Sequence, residues 1–432
     1  MVTVPSSESD FIRSLWHSTA SEADCRAPLD GTISTDVAIV GGGYAGLSIA
    51  LHLAEAGRQA VIIEGARIGS GGSGLNGGQV NPGMKYDPDE IDAIYNADAA
   101  TALTHFVGGL ADRTFALIER LGIECDVKRG GFVQPAHSAP TLEKVRSRCE
   151  QWAKRGAPVR FLDAMEIREL LGTDHYLGGW IDQRGGTLHP LKFVRGLAAA
   201  AERHGARIFE NSPAIEIKLD AGVWVISTPK GQVRAAKLAI MTNAYADHLW
   251  PRLARSFVPV HSFQISSAPL PDHVLASLVP EGYGVSDMRR LLVYFRRGPG
   301  GRLMIGGRGT LRPPRSEQDF QALEQILRRL FPQIGDVKMD HRWYGRVAIT
   351  TDAKPRLYVL GNQAIALTGC NGRGVAMYPV LGEHIAKWFV DECNEELPLQ
   401  PQTHISTIPL HGLNRFYVAG ASAWYRMRDW TG

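Results

Sequence analysis

The hydrophobic pattern changes character several times along the chain. Thr35-Asp36-Val37-Ala38-Ile39-Val40 is a short apolar run between turn residues, the signature of a strand buried on both faces of a parallel sheet. Glycines from 41 to 46 interrupt it. Leu47 to Ala56, rich in Leu and Ala, predicts a helix that Gly57 is placed to end. Gln59 to Glu64 predicts a second strand, closing on an acid, so the segment reads as one βαβ unit. Helical spacing follows at Leu103, Phe106, Val107, Leu110, Leu117 and Ile118, and again at Leu142, Val145, Cys149 and Trp152. Pro190 opens a further helix that runs to His204 before Gly205. Strands are then expected at 207–209, 215–217, 223–226 and 238–241. A β-rich stretch over 255–310 should hold strands at 291–295 and 303–305, before a helix from Gln318 to Leu330.

A length of 432 residues suggests two or three domains at ~150 residues each. Absence of a linker-like stretch points to domains that interleave. We expect an N-terminal extension over 1–34, irregular around Leu15-Trp16-His17. A dinucleotide-binding domain is expected from 35–100, 187–250 and 341–395, a substrate domain from 101–186 and 251–340, and a packed tail over 396–432. The 47 basic and 44 acidic residues leave a net charge of +3 with no basic block. Electrostatics therefore make no case for nucleic acid or a membrane surface. No apolar run approaches the ~20 residues of a membrane span, and Met1 to Asp10 lacks a signal-peptide layout. Five scattered cysteines without a C-x-x-C suit reduced thiols and a cytoplasmic setting. Fourteen histidines without H-x-x-x-H spacing give no support for a metal.

Glycine, at 47 residues, is the informative excess. Gly41-Gly42-Gly43-Tyr44-Ala45-Gly46 is a G-x-G-x-x-G between the expected strand and helix, with Glu64 following 23 residues after Gly41. The first glycine makes the turn, the second admits a pyrophosphate against the backbone, and the third lets helix and strand pack closely. The acid suits ribose hydroxyls. A lone motif of this kind is weak, but strand, helix and acid are in register here. Gly69 to Gln79 is mostly Gly and Ser, a loop able to present many N–H groups to a phosphate or flavin; its bland alternative is a flexible surface loop. A third cluster, Gly369-Cys370-Asn371-Gly372-Arg373-Gly374-Val375, precedes a helix whose N-terminus can face an electronegative group. The motif occurs once, which favours FAD alone over FAD with a soluble nicotinamide.

Together, and in this order, the three clusters resemble the FAD-dependent D-amino-acid oxidase superfamily, which includes glycine and sarcosine oxidases. Ser73-Gly74-Leu75-Asn76-Gly77-Gly78-Gln79 is similar to the S-G-R-N-G-G-Q run of its gamma-glutamylputrescine oxidoreductase-like branch, with Leu75 where Arg is usual. Trp343 to Ala348, Asp352 with Pro355, Asn371 to Ala376, Pro409 to Leu413, Trp424-Tyr425-Arg426 and Asp429 are similar to that branch too. The resemblance implies an α/β fold in which a Rossmann-type FAD domain interleaves with an antiparallel-sheet substrate domain. It places FAD on Gly41, Gly43, Tyr44, Ala45, Gly46, Glu64, Gly65, Ser73, Asn76, Gly77, Gly78 and Gln79. It adds Ile215, Asn243, Gly345, Gly369, Asn371, Gly372, Arg373, Gly374 and Val375.

The resemblance also implies the chemistry: hydride transfer from a C–H beside an amine to flavin N5, then imine hydrolysis, with O2 as acceptor. It identifies no catalytic side chain. Gln79, Tyr294, Arg308 and Trp343 are the expected substrate contacts, each also readable as core packing or a solvated charge. The pairs Arg289-Arg290 and Arg296-Arg297 could attract an acidic substrate tail, but such pairs ordinarily form a solvated face. The superfamily's carboxylate-binding Arg stands in G-x-R-P, whereas Gly345-Arg346-Val347-Ala348 carries Arg one place early. In a strand that shift reverses the side chain, which favours an amine, or an amine with a distant carboxylate, over a small α-amino acid. No Cys precedes Asp352 where sarcosine oxidases attach flavin covalently, so FAD should be non-covalent. Met304 stands where those oxidases carry an oxygen-activating Lys. That keeps open a dehydrogenase feeding a quinone or other carrier. A non-catalytic or RNA-modifying flavoprotein is the reading from another class.

Overall fold

The apolar run at 35–40 ends a longer strand, β1 (Gly31–Val40), which starts inside the expected extension and is buried from Val37 to Val40. The glycine turn leads into α1 (Tyr44–Glu55) and then β2 (Ala60–Ile63). The computed structural model describes residues 12–22, 25–289, 292–393 and 397–413. β1 pairs in parallel with β2 and with Gly231–Ile240, so its apolar residues are covered on both faces, as its composition requires. The full order of this first sheet is 356–359, 364–368, 231–240, β1, β2, 207–209, with 223–227 and 216–220 added antiparallel at one side. α1 packs against α2 (Pro190–Arg203) and against the later helix that follows the third glycine cluster.

The second sheet runs 339–349, 258–267, 302–308, 293–298, 283–286, 131–136, 178–182, 159–162. We label its functional strands β3 (Val258–Ser267), β4 (Val293–Gly298), β5 (Arg302–Arg308) and β6 (Met339–Ile349). It is antiparallel apart from one parallel pair, 283–285 with 131–133. Strands of the first sheet come from 31–63, 207–240 and 356–368, and those of the second from 131–182 and 258–349, so the two layers interleave in sequence. β6 pairs with β3, so the boundary expected at 341 falls beyond this strand. The helix α3 (Gly374–Asp391) returns to the first layer.

Other differences have local causes. Leu15–Thr19 is a short helix capped by Ser14 and not irregular chain; Trp16 is fully buried. The periodicity at 103–118 belongs to two helices, Ala97–Gly108 and Leu110–Arg120, separated at Gly109. The strand expected from 215 starts at Glu216. Strand β4 starts at Val293, and Arg290 and Leu291 lie outside the described residues. Gln402 exchanges backbone hydrogen bonds with Leu357 and Val359, tying the described part of the tail to the first sheet. Trp424, Tyr425, Arg426 and Asp429 lie outside the described residues. Among the described residues no helix is long and apolar enough to cross a membrane.

Three buried histidines make the fold acid-sensitive. His189 caps α2, His261 lies on β3 and His341 on β6. Burial pulls all three down to about 4. Between an ordinary histidine value of ~6.5 and 4, the unfolded chain takes up protons that the folded chain refuses, so stability rises with pH in this window. We predict a loss of ~1.4 kcal/mol per histidine per pH unit as pH falls from 6.5 towards 4. Denaturant midpoints measured at pH 7.5, 6 and 5 check it; a flat profile contradicts it.

Candidate functional site

A cavity of about 550 Å³ is walled by the glycine-rich loops of the first layer and by strands of the second. That size falls in the ~300–1,000 Å³ range of cofactor and ligand sites. At one wall Gly41, Gly43, Tyr44 and Ala45 open α1. Gly41 has φ +108°, and a Cβ there would stand 2.9 Å from the Met241 carbonyl oxygen. Gly46 does not line the cavity; a Cβ at 46 would stand 2.1 Å from the Gly41 carbonyl oxygen, so this glycine sets how closely helix and turn approach. Gly43, the N-cap, makes no side-chain capping bond. The helix start is therefore a site for an anion. Glu64 and Gly65 line the same wall. The Glu64 carboxylate accepts from Gly42 N (2.8 Å) and Ala66 N (3.0 Å), and burial nevertheless pushes its pKa up.

The Gly/Ser loop is held rigidly, contrary to its bland reading. The Asn76 amide donates to the Gly72 and Ser73 carbonyls and its oxygen accepts from Gly78 N. Trp16 Nε1 donates to Asn76 O at 2.8 Å, while Trp343 Nε1 and Gln264 Nε2 donate to Leu75 O at 3.1 and 2.6 Å. Ser73 Oγ accepts from Tyr44 N at 3.1 Å, joining loop to helix start. Ser73, Asn76, Gly77 and Gln79 line the cavity; Gly78 lies behind them. Gln79 spends its amide on Val285 O and Phe295 O and accepts from Ser286 Oγ, binding the loop to the second sheet.

At the third cluster, Asn371, Gly372, Arg373, Gly374 and Val375 line the cavity, with Cys370 beside them. Gly369 does not; its N–H donates to Asn243 Oδ1 at 3.1 Å, and Tyr378 OH donates to the same oxygen. Asn243 itself lines the cavity, as does Gly345. Arg373 Nη1 donates to Pro82 O at 2.9 Å, and burial holds the guanidinium down to about 10. Ile215 is solvent-exposed and outside the lining, which passes instead through Pro213 and Ala214.

On the second sheet Tyr294 and Arg308 line the cavity. Tyr294 OH shares a 2.9 Å hydrogen bond with Ser262 Oγ, and burial raises its pKa. Trp343, expected in the substrate wall, is fully buried in the core and serves the loop carbonyl. Met304 is buried and outside the lining. Arg346 lines the cavity and lies over the Tyr245 ring at 5.3 Å. The described members of the expected solvated pairs do not form a solvated face. Arg296 is buried, and Arg289 is paired with buried Asp287. Sequence reasoning missed Tyr245, Lys85, Gln134 and His261, which also line the cavity. None sits in a glycine motif: Gln134 and His261 come from strands of the second sheet, Tyr245 from a 3-10 turn and Lys85 from the segment before the helix Pro88–Ile94.

The lining tests well for a dinucleotide. Thr242 Oγ1, Arg346 Nε, Gln264 Oε1 and Asn81 Oδ1 are buried polar atoms without hydrogen-bond partners, all on cavity-lining residues. Together with the open helix start and buried Glu64, these suit a long ligand carrying phosphates, ribose and a polar ring. Among the described residues no group of three acidic, His or Cys side chains could hold a metal.

Comparison with known proteins agrees. The model of the DAO family, FAD dependent oxidoreductase, matches residues 36–388. Gamma-glutamylputrescine oxidoreductase of Escherichia coli K12 is 34% identical over 421 residues, covering 96% of this chain and 98% of that protein. The probable oxidoreductase OrdL of Rhizobium meliloti is 31% identical, covering 93% and 94%. The crystal structure of glycine oxidase from Geobacillus kaustophilus superposes with a TM-score of 0.70 at 22% identity, covering 86% of this chain and all of that one. With the family model spanning most of the chain, and a cavity shaped for its cofactor, this protein belongs to the DAO family of FAD-dependent oxidoreductases.

Proposed function

We propose that the chain oxidises the C–N bond of a gamma-glutamylputrescine-like amine, with FAD held non-covalently and reoxidised by O2. The observation that carries this reading is the 34% identity to gamma-glutamylputrescine oxidoreductase across nearly the whole of both chains. When bound, FAD supplies the two-electron acceptor that amino-acid side chains lack. The polypeptide's part is to bind, orient and exclude water. Glu64 and the α1 N-terminus suit the ribose and phosphates, and the pinned loop from Ser73 to Gln79 and the α3 N-terminus suit the ring. Gly345 and Arg346, Tyr294 with Ser262, and Arg308 form the wall on which an amine would be aimed. The absence of Cys from Trp343 to Asp352 supports non-covalent binding.

The overall conversion takes an amine, O2 and water to an aldehyde, ammonia and hydrogen peroxide. Two electrons leave the C–N unit and two reach oxygen. Turnover of gamma-glutamylputrescine in air should give one peroxide per aldehyde. A second reading, a dehydrogenase serving a quinone or other carrier, draws on buried Met304, which stands outside the cavity. It predicts aldehyde only when an artificial quinone is added. Aldehyde in neither condition contradicts both.

A further inference from the structure

Among the described residues Lys85 is the only lysine that lines the cavity. It follows the Gly/Ser loop and precedes Asp87, the N-cap of the helix Pro88–Ile94. Its ammonium forms no hydrogen bond or ion pair among the described residues. The nearby charges are committed elsewhere. Arg148 holds both carboxylate oxygens of Asp87 and the side-chain oxygen of Gln134, and Arg373 donates to Pro82 O. Asp87, the acid at hand, is therefore spent on Arg148. Lys85 has exposed surface, yet burial in the surrounding protein, then Arg373 and Arg148, pull its pKa down to about 7. An ammonium beside two guanidinium groups and without an anion of its own is unfavourable. A carboxylate entering the cavity would relieve it, whereas a cationic amine would be repelled from three positive groups. Asn81 Oδ1, four residues earlier and also on the lining, is a buried acceptor without a donor.

We propose that Lys85 reads a carboxylate on the substrate, at the end remote from the C–N bond that is oxidised. This rests on the amine-oxidising reading and deepens it. An anion at Lys85 and a cation-averse surround would set which way a long amine enters. Small amines without a carboxylate would bind without a preferred direction.

The test uses the FAD-loaded enzyme and two non-reacting probes, glutarate and the neutral glutaramide, titrated calorimetrically. Wild type should bind glutarate at least tenfold more tightly than glutaramide. Lys85→Gln should lose at least tenfold in glutarate affinity with glutaramide unchanged, and Lys85→Arg should restore most of it. The variant removes no hydrogen bond from the fold, so flavin content should stay at the wild-type level. With gamma-glutamylputrescine, Lys85→Gln should raise KM at least tenfold while kcat changes less than threefold. Equal binding of the two probes by wild type overturns the proposal, as does an unchanged glutarate affinity in Lys85→Gln. If Lys85 governs glutarate but no amine reduces the flavin, the carboxylate site stands and the amine reading fails.

Discussion

Gly46→Ala is expected to yield a folded protein that purifies almost free of flavin. The added methyl would stand 2.1 Å from the Gly41 carbonyl oxygen and 3.1 Å from Ile39 Cγ2. Neither neighbour can rotate away, because one is backbone and the other belongs to a strand paired on both sides. The first turn of α1 must therefore lift off β1. Overpacking of this kind costs ~1–3 kcal/mol of stability, which a chain with this much core can survive. Binding suffers more, since charge-assisted hydrogen bonds from the helix start to a phosphate contribute ~1.5–3 kcal/mol each and depend on angle. Losing the geometry of two such bonds lowers FAD affinity by at least about a hundredfold. The ratio of flavin to protein absorbance measures the effect. Gly57→Ala is the control: its positive φ (+71°) strains an added methyl, but nothing lies within 4 Å of its Cβ position. Flavin content should survive there.

Arg296→Met is the second large effect. Arg296 Nη1 donates to Gly78 O at 2.7 Å and Leu188 O at 2.8 Å, with a longer contact to Gly77 O. Its guanidinium stands over the Trp16 ring at 5.6 Å. No carboxylate pairs with it directly, and burial holds it down to about 10, so two effects compete on substitution. Removing the charge recovers its desolvation cost. Removing the donors strands the Leu188 carbonyl at ~1–3 kcal/mol, leaves Gly78 O with only the Leu188 N–H, and forfeits a cation–π contact worth ~1–2 kcal/mol. The Gly77 and Gly78 carbonyls belong to the loop already fastened by Trp16, Trp343 and Gln264, and the Leu188 carbonyl to the segment that leads into α2. We expect the second effect to win, with ~2–4 kcal/mol lost and FAD affinity reduced with it. Arg296→Lys, keeping charge but not the fork, should fall between. Urea unfolding of the three proteins decides it; a Met variant as stable as wild type would mean that the buried charge costs more than its bonds return.

These two residues show what the sequence made legible. Gly46 could be read directly, because a strand, a glycine turn and a helix lie within one local segment whose spacing states their geometry. The βαβ unit, the Gly/Ser loop and the cluster before α3 were visible for the same reason. Arg296 was misread as a solvated charge because its neighbour Arg297 and the run around it look polar. Only the pairing of β4 with β5 and with 283–286 turns it inward onto a loop more than two hundred residues earlier. Trp343 was misplaced in the substrate wall for a related reason: an aromatic beside a glycine turn does not show which of two packed layers it faces. Lys85, Tyr245 and Gln134 carry no motif at all. Their place on the cavity is a product of interleaved topology, which periodicity does not encode. Helix and strand boundaries moved where a single glycine intervened, as at Gly109.

On the proposed function, the cavity presents an amine to bound FAD. The most direct test is an anaerobic titration of the purified enzyme, following its flavin band near ~450 nm as gamma-glutamylputrescine, putrescine, sarcosine, glycine or D-alanine is added. Bleaching by gamma-glutamylputrescine at lower concentration than by any of the other four is the predicted result. Bleaching by glycine or D-alanine in its place would show that Arg346 or Arg308 clamps an α-carboxylate after all and would contradict the proposed substrate. A protein with no flavin band, or a band that none of these compounds reduces, would contradict the claim itself.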